Sequence, residues 1–266
     1  MNPFIAALLC TSLLCIANLL PSTANAAPPI AFDIIAERTH KPTLFTQGLL
    51  VDGDHFYESS GLYGKSLLVT YPIAEPESTW AKISAPFTRK LALPAEYFAE
   101  GLTLLNGKLY LLTWQEQTLL VYNKDKFALE QKLAYEGEGW GLATDGKLLI
   151  RSDGSDQLFF HQAADFALMH QLQVTDGKRP VRQLNELEFA QGFIWANIWY
   201  EDRIVKIDPK NGKVLGELNL KALKQQLKLT SSEQVLNGIA WDEQRQGFWV
   251  TGKLWPKMFL IRIAAD

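Results

Sequence analysis

Apolar residues in this chain fall in short runs broken by polar turns, with little helical periodicity. The runs Gly101-Leu-Thr-Leu-Leu105 and Lys108-Leu-Tyr-Leu-Leu-Thr113 flank Asn106-Gly107, and Gly141-Leu-Ala-Thr144 and Lys147-Leu-Leu-Ile-Arg151 flank Asp145-Gly146. Asx-Gly pairs favour the positive φ that a tight hairpin needs, so each unit reads as strand, turn, strand. The unit recurs at Gly48-Leu49 with Asp52-Gly53, at Leu187-Glu188 with Gln191-Gly192, and at Gly238-Ile239 with Gln246-Gly247. A second pair of apolar runs around a polar turn follows each one, most clearly in Arg203–Leu218 and Thr118–Glu130. One stretch, 220–232 with Lys-Ala-Leu-Lys-Gln-Gln-Leu-Lys, reads as a short helical insertion between the last two units.

Four strands per unit and a period of about 48 residues predict an all-β, five-bladed β-propeller with antiparallel blades. Radial stacking buries both faces of each blade, and closing the ring removes exposed edges. A β-sandwich, or two small β domains, is the alternative. No linker-like segment divides the chain, so 27–266 reads as one propeller domain.

Met1–Ala26 contains no charged residue, is almost continuously apolar from Phe4 to Leu20, and ends in Ala24-Asn25-Ala26. This predicts a signal peptide, residues 1–26, cut near Ala26. The protein is then exported, periplasmic or secreted, with no stable membrane association after cleavage; an uncleaved anchor is the alternative. Both cysteines, Cys10 and Cys15, lie in this leader. The mature chain thus has no disulfide and no thiol nucleophile, which suits a bacterial periplasm. A net charge of −3 gives no electrostatic basis for binding nucleic acid.

Innermost propeller strands line a central channel, and ligand sites gather at one mouth of it. Just before the anchors stand Gln47, Glu100, Trp140, Glu186 (after Asn185) and Asn237. About twelve residues beyond them stand Ser60, Thr113-Trp114, Asp153, Trp199 and Thr251-Gly-Lys253. Together they predict an apolar cage with a few directed polar groups. The plainer readings are core tryptophans, a solvated turn for Glu100 and a rim charge for Lys253. His40, His55, His161 and His170 lack ligand spacing and read as surface residues. Ser59, Ser60 and Ser152 lack a nucleophile-elbow motif.

At these residues the chain resembles the plant-type glutaminyl-peptide cyclotransferases, which also occur in bacteria. The matching motifs include Phe45-Thr-Gln-Gly48, Phe98-Ala-Glu-Gly-Leu102, Leu112-Thr-Trp-Gln115, Glu138-Gly-Trp-Gly141, Leu184-Asn-Glu-Leu-Glu188, Ile194–Trp199 and Val250-Thr-Gly-Lys-Leu-Trp-Pro256. They run in order through nearly the whole mature chain. The resemblance implies a five-bladed propeller, unlike the zinc-dependent animal enzymes. It implies a metal-independent acyltransferase that converts N-terminal glutamine of peptides to pyroglutamate and ammonia.

By motif match, the family's functional positions fall on Phe45, Gln47, Glu100, Trp114, Trp140, Asn185, Trp199 and Lys253. Glu100 is then the general base and acid, and Asn185, Gln47 or Lys253 the oxyanion donor. Phe45 and the three tryptophans enclose the glutamine side chain. No cofactor is called for, and a structural calcium in the channel stays open. Peptides or proteins with N-terminal glutamine are the expected partners, and the closed ring suggests a monomer. Two other readings stand beside this one: a non-catalytic periplasmic propeller that binds peptides or scaffolds a complex, and a lactonase-like hydrolase with axial calcium.

Overall fold

The computed structural model describes residues 26–74 and 86–264. The predicted leader and both cysteines thus lie outside the described residues, apart from Ala26. The described chain forms five four-stranded antiparallel sheets arranged as the blades of a propeller. From the inside outwards, blade one is Thr46–Asp52, His55–Ser60, Leu67–Pro72 and Arg89–Ala92. Blade two is Ala99–Leu105, Lys108–Thr113, Thr118–Asn123 and Ala128–Ala134. Blade three is Leu142–Thr144, Leu148–Ser152, Gln157–Gln162 and Leu168–Gln173. Blade four is Leu184–Ala190, Phe193–Ile198, Arg203–Ile207 and Val214–Asn219. Blade five takes Leu236–Asp242, Gly247–Gly252 and Lys257–Ile263 from the C-terminal end and its outer strand, Phe32–Thr39, from the N-terminal end.

The repeat predicts a second pair of runs after every hairpin, but in the last blade only one strand, Lys257–Ile263, follows, and the fourth is supplied by Phe32–Thr39. Phe32–Thr39 lies before the first hairpin anchor and carries no turn signal of its own. Its pairing with Lys257–Ile263 joins the two ends of the chain, so the ring closes through hydrogen bonds.

The hairpin turns follow from their sequences. Asn106-Gly107 and Gln191-Gly192 each hold both residues at positive φ, as a two-residue turn between twisted strands requires. The core divides by seam. Leu50, Leu68, Leu102 and Leu111 fill the space between blades one and two. Trp195, Phe248, Trp255 and Phe259 fill that between blades four and five. The other three seams have clusters of the same kind. Outer strands such as Ala128–Ala134 are largely exposed.

The predicted helical insertion shrinks to Lys221–Gln225. Leu220 offers no side-chain cap, and Lys228 takes a positive φ that ends any continuation. Only Leu223 of that helix is buried, so little packing holds a longer one.

Candidate active site

A repeated irregularity builds the site. In blades one, two, four and five the inner strand gains one residue over its partner. The slips fall between Thr46 and Gly48, Ala99 and Leu102, Leu184 and Leu187, and Leu236 and Ile239. Each is a β-bulge, which re-aims a side chain and sharpens the local twist. The residues inside them are Gln47, Glu100-Gly101, Asn185-Glu186 and Asn237-Gly238. In blade three the regular strand starts at Leu142, and Trp140–Gly141 is held instead by paired backbone bonds to Ser152 at 3.0 Å.

Glycine at the bulge lets neighbouring inner strands touch. A Cβ on Gly101 would lie 2.4 Å from the Leu142 nitrogen, and one on Gly141 would lie 2.0 Å from the Asn185 oxygen. Ser59, Ser60 and Ser152 serve as braces around these bulges. Ser59 Oγ donates to the Glu100 carbonyl at 2.5 Å, and Ser152 Oγ to the Asn185 carbonyl at 2.7 Å. The Phe45 amide donates to Ser60 Oγ at 2.9 Å.

All eight predicted residues line one cavity of about 280 Å³: Phe45, Gln47, Glu100, Trp114, Trp140, Asn185, Trp199 and Lys253. Glu100 is only 5% exposed and Lys253 only 6%, so neither is a solvated turn nor a rim charge. Gln47 Nε2 donates to Glu100 Oε1 at 2.9 Å, while Gln47 Oε1 accepts from Asn237 Nδ2 at 3.2 Å. Burial pushes the Glu100 carboxyl well above the usual carboxylate range. The Lys253 charge draws it part of the way back, and Glu138 and Glu116 push it up further. Burial in turn lowers the Lys253 ammonium, against the pull of Glu100 and Glu233.

Lys253 Nζ stands 4.7 Å from the centroid of the Phe45 ring. Among the described residues, neither that ammonium nor the Asn185 side-chain amide has a protein hydrogen-bond partner, so both are free to donate into the cavity. Gln47 has already committed one amide hydrogen to Glu100.

Of the aromatic walls, Trp114, Trp140, Trp199 and Phe98 are half-buried rather than core, and Phe45 is buried. Trp140 and Trp199 meet edge to face at 5.2 Å. Gly154, at φ +81°, lies directly under the Trp140 ring, where a Cβ would come within 2.6 Å. Phe98 stands at 5.6 Å from Trp114 and 6.4 Å from Phe45, which completes the wall. Phe98 opens the motif Phe98–Leu102 but was not among the expected site residues; it stands just ahead of the strand Ala99–Leu105, two residues before Glu100, and its carbonyl accepts the Trp114 amide at 3.0 Å. Leu62, Tyr200, Glu233 and Val235 also line the cavity and were not expected. They come from loops, where the repeat has no register to read.

Other members of the predicted constellation lie elsewhere. Glu186 is fully buried beside the axis, where its carboxyl accepts the amides of Leu49 at 3.3 Å and Ile239 at 2.8 Å. Asp153 closes its own turn by bonding Ser155. The surface reading of the histidines fails for two of them. His161 is buried, with Nδ1 bonded to the Phe166 carbonyl. His40 is buried between Glu58 and the Trp255 carbonyl. Ring closure and seam packing, which local spacing does not reveal, bury both. Among the described residues no three His, Cys, Asp or Glu side chains converge to hold a metal ion.

Residues 7–263 match the family model for glutamine cyclotransferase. Glutaminyl-peptide cyclotransferase of Arabidopsis thaliana is 39% identical over 236 residues, covering 87% of this chain and 71% of its own. The crystal structure of Myxococcus xanthus glutaminyl cyclase superposes with a TM-score of 0.80 at 37% identity, covering 90% of this chain and all of that one. With the fold, the repeat and the match over nearly its whole length in agreement, the chain belongs to the glutamine cyclotransferase family.

Proposed function

We propose that this protein is a glutaminyl-peptide cyclotransferase that closes an N-terminal glutamine into pyroglutamate and releases ammonia, with Glu100 carrying the proton. The observation that supports it most is a buried carboxylate, bonded to Gln47, facing an aromatic cavity into which Asn185 and Lys253 can still donate.

Nucleophile and electrophile already sit in one residue of the substrate. The protein therefore has to hold the bent conformer and manage one proton and one developing charge. Phe45, Trp114, Trp140 and Trp199 enclose the glutamine side chain and exclude water. The α-amine attacks the side-chain amide carbon as the free base. As the new C–N bond forms, the amine nitrogen gives a proton to Glu100. Glu100 returns it to the amide nitrogen as that C–N bond breaks and ammonia leaves. One proton moves between two nitrogens, and the carboxylate ends as it began. A carboxyl raised by burial suits both duties better than an ordinary one. Asn185 and Lys253 donate to the amide oxygen while it carries the tetrahedral charge. Gln47 holds Glu100 in place.

In this reading the reaction uses groups of this chain and no metal. Export to the periplasm rests on the apolar, uncharged leader. A monomer is expected because the ring closes on itself. The test is incubation of the purified protein with Gln-initiated dipeptides, with and without chelator. Ammonia and pyroglutamate in equal amounts, unaffected by the chelator, are expected; no ammonia would leave a peptide-binding propeller.

A further inference from the structure

Glu138 is not among the side chains that line the cavity, yet it holds two of the cavity's walls. Its Oε2 accepts Trp114 Nε1 at 2.8 Å and Trp140 Nε1 at 2.9 Å, and its Oε1 accepts Gln115 Nε2 at 3.1 Å. Trp114 follows the second strand of blade two, whereas Trp140 opens blade three. The two indoles thus come from different sheets and share one acceptor. An sp2 oxygen carries two lone pairs and can take two donors at once, in a carboxylate or in an amide carbonyl. Burial alone would raise the Glu138 carboxyl, but the bonds from Trp140, Gln115 and Trp114 outweigh it and hold the group below its usual range.

The backbone beneath is fixed just as closely. The Arg151 guanidinium donates to the Glu138 carbonyl and lies 5.1 Å from the Tyr135 ring and 4.4 Å from the Phe159 ring. The Gly139 amide donates to the Trp114 carbonyl at 2.9 Å. A Cβ at position 139 would come within 2.2 Å of the Tyr135 hydroxyl and 2.8 Å of the Thr113 carbonyl, so this approach requires glycine.

We propose that Glu138 is a positioning residue for the cyclisation: a shared acceptor that sets the tilt of Trp114 and Trp140 together, and through them the bent conformer of the glutaminyl substrate. The proposal rests on the cavity being the site of that reaction. It follows from orientation, because a small misplacement of a reacting group costs rate even when the group is still bound.

Two substitutions separate reach from charge. Glu138→Asp keeps the charge but draws the carboxylate back by about 1.5 Å, one C–C bond, so it cannot reach both indoles. Glu138→Gln keeps the reach and one carbonyl acceptor and removes the charge. With a Gln-initiated dipeptide, the Asp variant is expected to lose at least about tenfold in kcat/KM, and the Gln variant to stay within about threefold of the native protein. Tryptophan emission should be more readily quenched by acrylamide in the Asp variant and native-like in the Gln variant. An Asp variant within about twofold of native kcat/KM, or a Gln variant as impaired as the Asp variant, overturns the proposal. A native protein that releases no ammonia overturns the underlying reading instead, and the quenching comparison then reports on the clamp by itself.

Discussion

The side-chain amide of Gln47 donates to the carboxylate of Glu100 at 2.9 Å, joining the bulged inner strands of the first two blades at the floor of the cavity. Asn237 of the fifth blade donates to Gln47 in turn, so three blades meet in one chain of hydrogen bonds. The arrangement supplies Glu100 with a neutral partner and leaves its charge to be set by burial, by Lys253, and by Glu138 and Glu116.

That balance predicts a direction for Lys253→Met. Lys253 favours the ionised form of Glu100, and its removal leaves burial and two like charges to push the carboxyl still higher. The acid limb of kcat/KM should move to higher pH. The plateau should also fall by about a hundredfold, as for the loss of an oxyanion donor. A pH–rate profile measures both; an unmoved limb would remove Lys253 from the electrostatics of Glu100.

Glu186 gives the opposite kind of prediction. Its carboxyl ties blade four to Leu49 of blade one and Ile239 of blade five, and it does not line the cavity. Glu186→Gln leaves one of those buried amides without an acceptor. It should cost about 1–3 kcal/mol in denaturant unfolding while kcat/KM stays near native. A large loss of activity at unchanged stability would place Glu186 in the chemistry.

The latch at the ring closure predicts a pH dependence of stability. Glu58 accepts His40 Nε2 at 3.1 Å, Thr46 Oγ1 at 2.6 Å and the Tyr71 hydroxyl at 2.6 Å, while His40 Nδ1 contacts the Trp255 carbonyl at 2.8 Å. Burial acts to raise the Glu58 carboxyl, but the His40 charge and the three side-chain bonds hold it below its usual value. A carboxyl depressed in the folded state contributes stability above its unfolded pKa and loses it as pH falls through the folded one. Glu58→Gln should therefore cost about 3 kcal/mol at neutral pH, and the gap to native should narrow in acid. Thermal unfolding of both proteins across that range is the check; a constant gap would contradict it.

Much of this was legible beforehand because the repeat is local. Turn pairs such as Asn106-Gly107 and anchors such as Gly101 set the strand register, and the register brought Gln47, Glu100, Asn185 and Lys253 to one end of the channel. The closing strand, the burial of His40 and the loop residues Tyr200 and Glu233 were not legible. Each depends on which distant segment comes to lie against it. Glu186 was misplaced for a related reason: the bulge that aims Asn185 at the cavity turns its neighbour towards the axis, and spacing alone does not separate the two.

The central claim is that the Glu100 carboxylate moves the proton. Steady-state ammonia release by Glu100→Gln, compared with the native protein at matched thermal stability, tests it most directly. The account predicts at least about a hundredfold loss in kcat, because the isosteric amide can still bond Gln47 but can neither take nor return a proton. Turnover within about threefold of native would contradict it.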